Sequence, residues 1–469
     1  MSIQLHCVHK SRPADTETPV TLYLKLRDCF PQTLLMEHAT QFHTEGRKSY
    51  ICCEPIAGIR LQENTVTQTF PDGTKTKLGL GSDTNIVDLL DDFLALFTID
   101  DPISETCGLF GYAAFDAVQY TEQISFTNAS EAGTALPELV FDVYRYVLVF
   151  DHVRNDLTIA YHYTGEAVEN GIAIIERLLE RRKHQPYPFR LTAEEKSNVT
   201  DNEFIDMVTA GKQHCYRGDV FQVVLSRAFE VSYQGDDFNV YRALRCINPS
   251  PYLFYFDYGD FRLFGSSPEA QIKKQVQSAI LYPIAGTYPR TGEPERDKAS
   301  AIALQDDEKE HAEHVMLIDL ARNDLSKNYA KVSVPVFKNI EQFSHVLHIV
   351  SEVRAELPLT TAKPFRVWSD TFPAGTLSGA PKHKALTLIN KYENRRRGFY
   401  GGSIGFVGFN GCVNQAIMIR SFLSKQNKLH YRAGAGIVAA SVPANELAEG
   451  NNKIAALRKA IQLASTRIQ

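Results

Sequence analysis

The chain has 469 residues, 44% of them hydrophobic and 22% charged, with a formal net charge of −5. That length exceeds the size at which a single core usually stops growing, so two domains or subdomains are expected. The near-balanced charge points to no polyanion, and no apolar run reaches the roughly 18 residues of a bilayer span, so neither nucleic acid nor membrane is an expected partner.

The start, MSIQLHCVHKSRPADTETP, lacks the apolar core of a signal peptide. The eight cysteines are scattered, with Cys52 and Cys53 adjacent and no CxxC pair. That spacing suggests neither zinc nor a redox pair and reads as the reduced thiols of a cytoplasmic protein. Between residues 20 and 180, SYICCEPIAGIRL and LVFDVYRYVLVFDHVRNDLTIAYHY read as strands, with a hairpin turn at Asn155–Asp156. NIVDLLDDFLALF and ENGIAIIERLLERRKH read as amphipathic helices. Residues 184–200 are polar and hold two prolines, so a linker is expected there, joining an amino-terminal region (1–190) to a second domain (195–469).

Thr200 and Glu203 then form a capping-box pattern that opens a helix running to about Gly218. VFQVVLSRAFEVSY reads as a strand with one polar residue, Gln222, in its apolar start. A hairpin-rich zone follows through RLFGSS, AQIKKQ and AILYPIAGT. DDEKEHAEHVMLIDLARNDLS, 306–326, reads as a helix and SHVLHIVSEVRAEL as a strand. FPAGTLSGAPKHKALTLINKYE reads as a Gly/Pro loop leading into a helix. GGSIGFVGFNGCVNQAIMIRSFLS and KLHYRAGAGIVAAS together read as three strands, and NELAEGNNKIAALRKAIQLAS as a last helix. Strands and helices do not alternate one for one, which favours α+β with antiparallel sheets over a doubly wound parallel sheet.

Two of these helices carry carboxylates at i,i+3: Glu310 with Glu313, and Glu446 with Glu449, with Lys453 one turn beyond on the same face. Each pair alone is usually a solvated acidic face. Four such carboxylates brought together repel unless a cation neutralises them, and all-oxygen ligands suit a hard ion such as Mg²⁺. His311 and His314 lie beside the first pair, but neither HExxH nor HxxEH occurs, so zinc is discounted there. The glycines of PIAGT (283–287), PAGTLSGAPK (373–382) and YRAGAGIV (431–438) can present backbone N–H groups to a carboxylate, or simply turn the chain. Arg420, inside what reads as an apolar strand, needs a partner, either a structural carboxylate or a ligand's. His348 in HVLHIV has the same two readings, core or catalytic.

Taken together, these segments resemble the chorismate-utilising enzymes, and among them the anthranilate synthase component I branch. The strings that carry the resemblance are GDVFQVVLSR, NPSPYLFYF, FGSSPE, PIAGTYPR, KEHAEHVMLIDLARNDLS, SHVLHIVS, FPAGTLSGAPK, GFYGGSIGF, IRSF and GAGIVAASVP followed by ELAEGNNK. They run in the family's order from about 210 to 457, while TLLMEH and YICCEPI look like its more variable amino-terminal region. The resemblance implies two facing antiparallel β-sheets with helices packed outside. It implies that Glu310, Glu313, Glu446 and Glu449 hold the Mg²⁺ that receives the ring carboxylate of chorismate. Glu269 would be the general acid for the departing hydroxyl, and His348 would assist elimination at the ring. Tyr400, Arg420 and Lys453 would surround the enolpyruvyl carboxylate. Thr376, Gly286, Thr287, Gly434, Ala435 and Gly436 would add hydroxyl and backbone contacts to the substrate.

Two positions sort the family's reactions. Water-adding members carry a lysine base before VVL, where Gln222 stands here; an amide is no base near neutral pH. Aminodeoxychorismate synthases usually carry PIKGT, where Ala285 stands here. The resemblance therefore implies ammonia attack at C2 and loss of pyruvate, with aminodeoxychorismate synthesis and a catalytically silent paralogue as the rival readings. No cysteine lies in the elbow of a glutamine amidotransferase, so a separate amidotransferase subunit (component II) is the implied partner, in a heterotetramer. Feedback-regulated members have LLES, whose serine helps bind tryptophan, and NPSPYM. Here Glu37 is kept, His38 replaces the serine, and Leu253 follows Pro251 and Tyr252, which puts tryptophan inhibition in question.

Overall fold

The computed structural model describes residues 2–38, 47–81, 84–100, 106–128, 133–165, 171–181, 187–342, 346–358 and 363–467. Two long strands, Lys48–Gln62 and Leu139–Asp151, pair along most of their length and pass from one sheet to the other. The passage is marked by a register shift between Pro55 and Ala57 and by Glu54 at φ +60°. Such a bulge bends a strand and re-aims the residues beyond it.

The first halves of the two sheets differ in origin. In one sheet, Thr33–His38 joins Lys48–Gln62 to Tyr252–Asp257, followed by Phe261–Ser267, Ser421–Lys425, Lys428–Ile437 and Gln222–Gly235. In the other, Gly108–Ala113 joins Leu139–Asp151 to Ser403–Gly408, followed by Val413–Ile417, Ala270–Lys274, Ser278–Leu281 and Val346–Glu356. Strands from before residue 190 and after residue 195 therefore share both sheets. All these pairings are antiparallel; Ile3–Pro13 pairs in parallel with Phe97–Asp100.

Alternation along each strand separates the layers. Leu34, Met36, Cys52, Phe254 and Leu423 of one sheet meet Phe110, Tyr112, Ile404 and Phe406 of the other in a shared inner cluster. Leu35, Ile51, Cys53, Tyr255 and Phe264, one residue out of phase, face outward onto helices Pro19–Leu26, Phe238–Ile247 and Pro443–Arg467. On the far side, Ile59, Leu61, Phe141 and Val353 meet helices Ile86–Ala95 and Pro364–Thr371, with Trp368 fully buried. The expected arrangement of two facing antiparallel sheets with helices outside is thus present.

Three local readings of the sequence are corrected. The 184–200 segment is no open tether: from 187 on it runs along the first sheet, Phe189–Leu191 and Lys196–Ser197 each pairing with Gln222–Gly235. The 401–438 region holds four strands, Ser403–Gly408, Val413–Ile417, Ser421–Lys425 and Lys428–Ile437, because the chain breaks at 418–420 to change sheets. Arg420 stands at that break rather than inside a strand, at φ +49°. The hairpin at Asn155 is as read: Asp151 pairs with Asp156, and Asn155 takes φ +54°.

Close backbone approach between the central strands of the second sheet depends on glycine. A Cβ on Gly111 would lie 2.0 Å from the Val140 carbonyl oxygen and 2.7 Å from the Phe141 Cα. Gly111→Ala is expected to destabilise the fold by about 1–3 kcal/mol or more, as overpacking against backbone that cannot yield does. Chemical denaturation of the purified chain measures this.

Candidate active site

The capping box on Thr200 and Glu203 starts helix Asp201–Tyr216, and strand Gln222–Gly235 follows it. Residues 223–232 of that strand pair with Lys428–Ile437, so Gly434, Ala435 and Gly436 lie opposite Ser226, Leu225 and Val224. The glycines leave room that side chains would fill. A Cβ on Gly436 would stand 2.4 Å from Gln222 Nε2, and one on Gly434 would stand 3.1 Å from the Tyr400 hydroxyl. Gln222 Oε1 is buried with no hydrogen-bond partner. Lys453, from helix Pro443–Arg467, donates to the Gly434 carbonyl at 3.1 Å and pairs with Glu449 at 2.7 Å, one turn back.

Glu269 follows Ser267 at the end of strand Phe261–Ser267 and accepts a hydrogen bond from Thr376 Oγ1 at 2.9 Å. Thr376 lies on the short helix Gly375–Ser378, in a loop bracketed by two cis prolyl bonds, Phe372–Pro373 and Ala380–Pro381. Burial pushes the Glu269 carboxyl up to about 7, against the Thr376 hydrogen bond and the charges of Arg420 and Lys453. A carboxylic acid that still holds its proton near neutrality can act as a general acid.

Arg420 faces this acid. Its side chain makes no hydrogen bond or ion pair among the described residues, and burial draws its guanidinium down while Glu269 draws it up. A non-glycine residue held left-handed, with a buried guanidinium that makes no hydrogen bond or ion pair among the described residues, suits a planar anion, which Arg grips through two parallel N–H bonds.

His348, on strand Val346–Glu356, shares Nδ1 with the Gly286 carbonyl at 2.7 Å. Its pKa is lowered, chiefly by burial, so the ring is neutral at pH 7. Nδ1–H is the donor to that carbonyl, which leaves Nε2 as the acceptor nitrogen. Gly286 takes φ +64°, and a Cβ there would stand 3.4 Å from Glu310 Oε2. Strand Ile284–Pro289, which carries Gly286 and Thr287, is therefore the bridge between His348 and helix Glu308–Ser326. Glu313 lies one turn along that helix, and Glu446 one turn before Glu449 on the last helix. Among the described residues, the four glutamates include no trio of ligand atoms within 4.8 Å of one another. His314 is committed elsewhere: its Nε2 meets Ser351 Oγ at 2.7 Å, and burial lowers its pKa to about 4.

The second set of residues singled out in the sequence also converges. Strand Thr33–His38 pairs with Tyr252–Asp257 so that Glu37 lies opposite Leu253 and His38 opposite Tyr252. Glu37 is buried and accepts from the Tyr241 hydroxyl at 2.6 Å and from Arg245 at 2.9 and 3.1 Å. The His38 ring lies edge-on to Tyr252 and Tyr50. Burial and the charge of Lys273 lower its pKa to about 4, against a hydrogen bond with the Pro251 backbone.

Sequence reasoning missed the group beneath the floor of this site. Arg397 donates to the Glu393 carboxylate, to the Leu377 carbonyl at 2.6 Å and to the Val224 carbonyl at 2.7 Å. Glu393 also accepts from the Ser226 backbone N–H at 2.9 Å and from Arg432 at 3.3 Å. Arg397 stacks over Phe115 and reaches the Tyr400 ring. Its signal in the sequence was the run ENRRRGFY, which looks like a solvated basic loop.

A family profile described as chorismate binding enzyme matches residues 33–459. Anthranilate synthase component 1 of Aquifex aeolicus is 36% identical over 96% of this chain and 93% of its own length. The crystal structure of anthranilate synthase component I from Streptococcus pneumoniae superposes with a TM-score of 0.75 at 29% identity, covering 95% of this chain and 99% of that one. The menaquinone-specific isochorismate synthase of Escherichia coli shares the fold at a TM-score of 0.74 and 18% identity, over 98% of this chain and 95% of that one.

Two outcomes follow from the electrostatics. Burial pushes the Glu393 carboxyl up, but Arg397 and Arg432 more than reverse it, and the net shift is downward. Its stabilising share is therefore present above the ordinary carboxyl range and is lost as the pH falls through the lowered value. Glu393→Ala is expected to cost about 3–5 kcal/mol at pH 7, with the gap to the parent narrowing in acid, read by denaturant melts across pH. Glu269 has the opposite sign. Its raised pKa means that the ionised form is penalised above about 7 and that the penalty is gone below the usual 4.5. Glu269→Gln should melt higher than the parent at pH 8 and lose that advantage in acid, while turnover falls roughly 100- to 10,000-fold.

Proposed function

This chain belongs to the chorismate-binding enzyme family, and on that premise we propose that it aminates chorismate at C2 with ammonia and releases pyruvate to give anthranilate, the entry to tryptophan synthesis. The observation that carries the reading is Arg420, left-handed and with no hydrogen bond or ion pair among the described residues, within electrostatic reach of Glu269, an acid that burial holds up at about 7.

In this reading Arg420, with Tyr400 and Lys453, grips the enolpyruvyl carboxylate. Thr376 and the glycine-bordered backbone at 286–287 and 434–436 hold the substrate in register, where any larger side chain would intrude. A bond forms from nitrogen to C2 as the ring hydroxyl departs as water, and Glu269 supplies the proton. Loss of the C2 proton, assisted by the neutral His348, then expels the side chain as pyruvate and leaves the aromatic ring. Gln222 orients and does not ionise, which disfavours water as the nucleophile. Ala285, opposite Ile349, offers no amine to attack the ring, which disfavours the 4-amino product.

Glu310, Glu313, Glu446 and Glu449 would hold a magnesium ion. The donor set fits, being oxygen only, with the nearby His314 already bound to Ser351. When bound, the ion neutralises the glutamates and the substrate's ring carboxylate together. Ammonia would come from a separate glutamine amidotransferase subunit in a heterotetramer. The adjoining residues 37–38 and 251–253 are the part of the molecule this reading assigns to tryptophan control, with the His38 ring standing between Tyr50 and Tyr252.

Purified chain given chorismate, Mg²⁺ and an ammonium salt at alkaline pH is expected to yield fluorescent anthranilate and pyruvate in equal amounts. An aminodeoxychorismate product without pyruvate would overturn the C2 assignment. Glu313→Gln and Glu449→Gln should each abolish turnover without loss of secondary structure by circular dichroism. Full activity in both would sink the metal assignment.

A further inference from the structure

Away from the residues assigned to the reaction, the fold assembles a thiol–imidazole cluster from residues 7, 107 and 162, widely separated in the chain. Cys7 on strand Ile3–Pro13 lies directly opposite His162 on strand Asp156–Tyr163. In an antiparallel pair, such opposed side chains project from the same face of the sheet. Cys107 comes in just before strand Gly108–Ala113, its carbonyl held by the Phe409 N–H at 3.0 Å. The two sulfurs and a ring nitrogen of His162 all lie within 4.8 Å of one another. Cys107 and His162 are each 1% exposed, whereas Cys7 is half-buried and is the most exposed of the three.

The geometry is that of a binding site rather than of chance packing. His162 Nδ1 lies 2.8 Å from the Tyr144 carbonyl, which can only accept, so the proton resides on Nδ1. The lone pair of Nε2 is thereby aimed at Cys107 Sγ, 3.5 Å away. A carbonyl that fixes the tautomer of a ligating histidine is the usual outer support of a zinc site. With Zn–S of about 2.3 Å and Zn–N of about 2.0–2.1 Å at a tetrahedral angle, the S···N edge is about 3.6 Å. The observed spacing matches that edge.

We infer that Cys7 Sγ, Cys107 Sγ and His162 Nε2 form a site for a borderline-soft divalent ion of the zinc class, with its fourth position open toward the Cys7 side. Two thiolates and one imidazole suit zinc and are poor ligands for magnesium. Binding releases the thiol protons and ties the two outer strands, Ile3–Pro13 and Asp156–Tyr163, to the start of a central strand of the second sheet. The site uses none of the residues assigned to the reaction, so it stands or falls independently of the proposed function.

The test is metal analysis of full-length chain purified under reducing conditions, dialysed against zinc chloride and then against metal-free buffer. One equivalent of zinc is expected. Loading with cobalt(II) chloride instead should give an intense thiolate-to-cobalt charge-transfer band and tetrahedral visible absorption, which carboxylate-bound cobalt does not produce. Cys107→Ser and Cys7→Ser should lose both the band and the retained zinc. His162→Gln should weaken retention roughly 10- to 100-fold or more. Absence of the charge-transfer band in the parent protein, or a Cys7–Cys107 disulfide in its place, would overturn the inference without reference to any variant. Zinc retained undiminished by the Cys7→Ser/Cys107→Ser double variant would do the same.

Discussion

The buried contact among Glu393, Arg397 and Arg432 is the constraint on which the rest of the site depends. The outer edge of strand Gln222–Gly235 is covered by other strands only at 222–223 and again from 229 on. Between them, the Val224 carbonyl and the Ser226 N–H would be left without partners in the interior. Arg397 takes the first and Glu393 the second. The same guanidinium holds the Leu377 carbonyl, beside Thr376, and lies under the ring of Tyr400. One ion group therefore fixes the strand facing 434–436, the helix carrying Thr376 and the position of Tyr400. A hydrophobic substitute could fill the volume but could not satisfy those backbone groups.

Above that floor the electrostatics work against stability. Glu269 is held where burial makes its charge expensive, although Arg420 and Lys453 are near enough to favour the ion. Arg420 is likewise drawn from solvent, with Glu269 to balance it among the described residues. Each group is thus poorly matched by its own surroundings. Such a site costs folding free energy in exchange for preorganisation, which is the usual relation between stability and function.

The sandwich explains why so many separated segments contribute. Because Lys48–Gln62 and Leu139–Asp151 cross between sheets, amino-terminal strands seat against carboxy-terminal ones on both sides of the inner cluster. Glu37 is fixed by Arg245 and Tyr241 on a helix some two hundred residues away in sequence. The Cys7, Cys107 and His162 cluster arises in the same way, at the outer strands of that seam.

What the sequence determined by itself is local or carried by motif. The run SYICCEPIAGIRL placed a strand, and Thr200 and Glu203 placed a helix start; the glycine-bordered strings and the two ExxE helices are legible as motifs because their residues lie close together in the chain. Gln222 and Ala285 could be read singly because their chemistry depends on what the side chain lacks. Tertiary structure alone decided what depends on meeting across distance. Arg420 looked like a strand residue until the chain was seen to change sheets there, since periodicity reports burial and not which sheet a residue joins. ENRRR gave no sign of its role because charge in a sequence carries no record of its partner, and only packing buries Glu393 against two arginines. Scattered cysteines argued against a metal because spacing along the chain was the only distance available. Strand pairing brings Cys7 opposite His162 at a separation that no count of residues reveals.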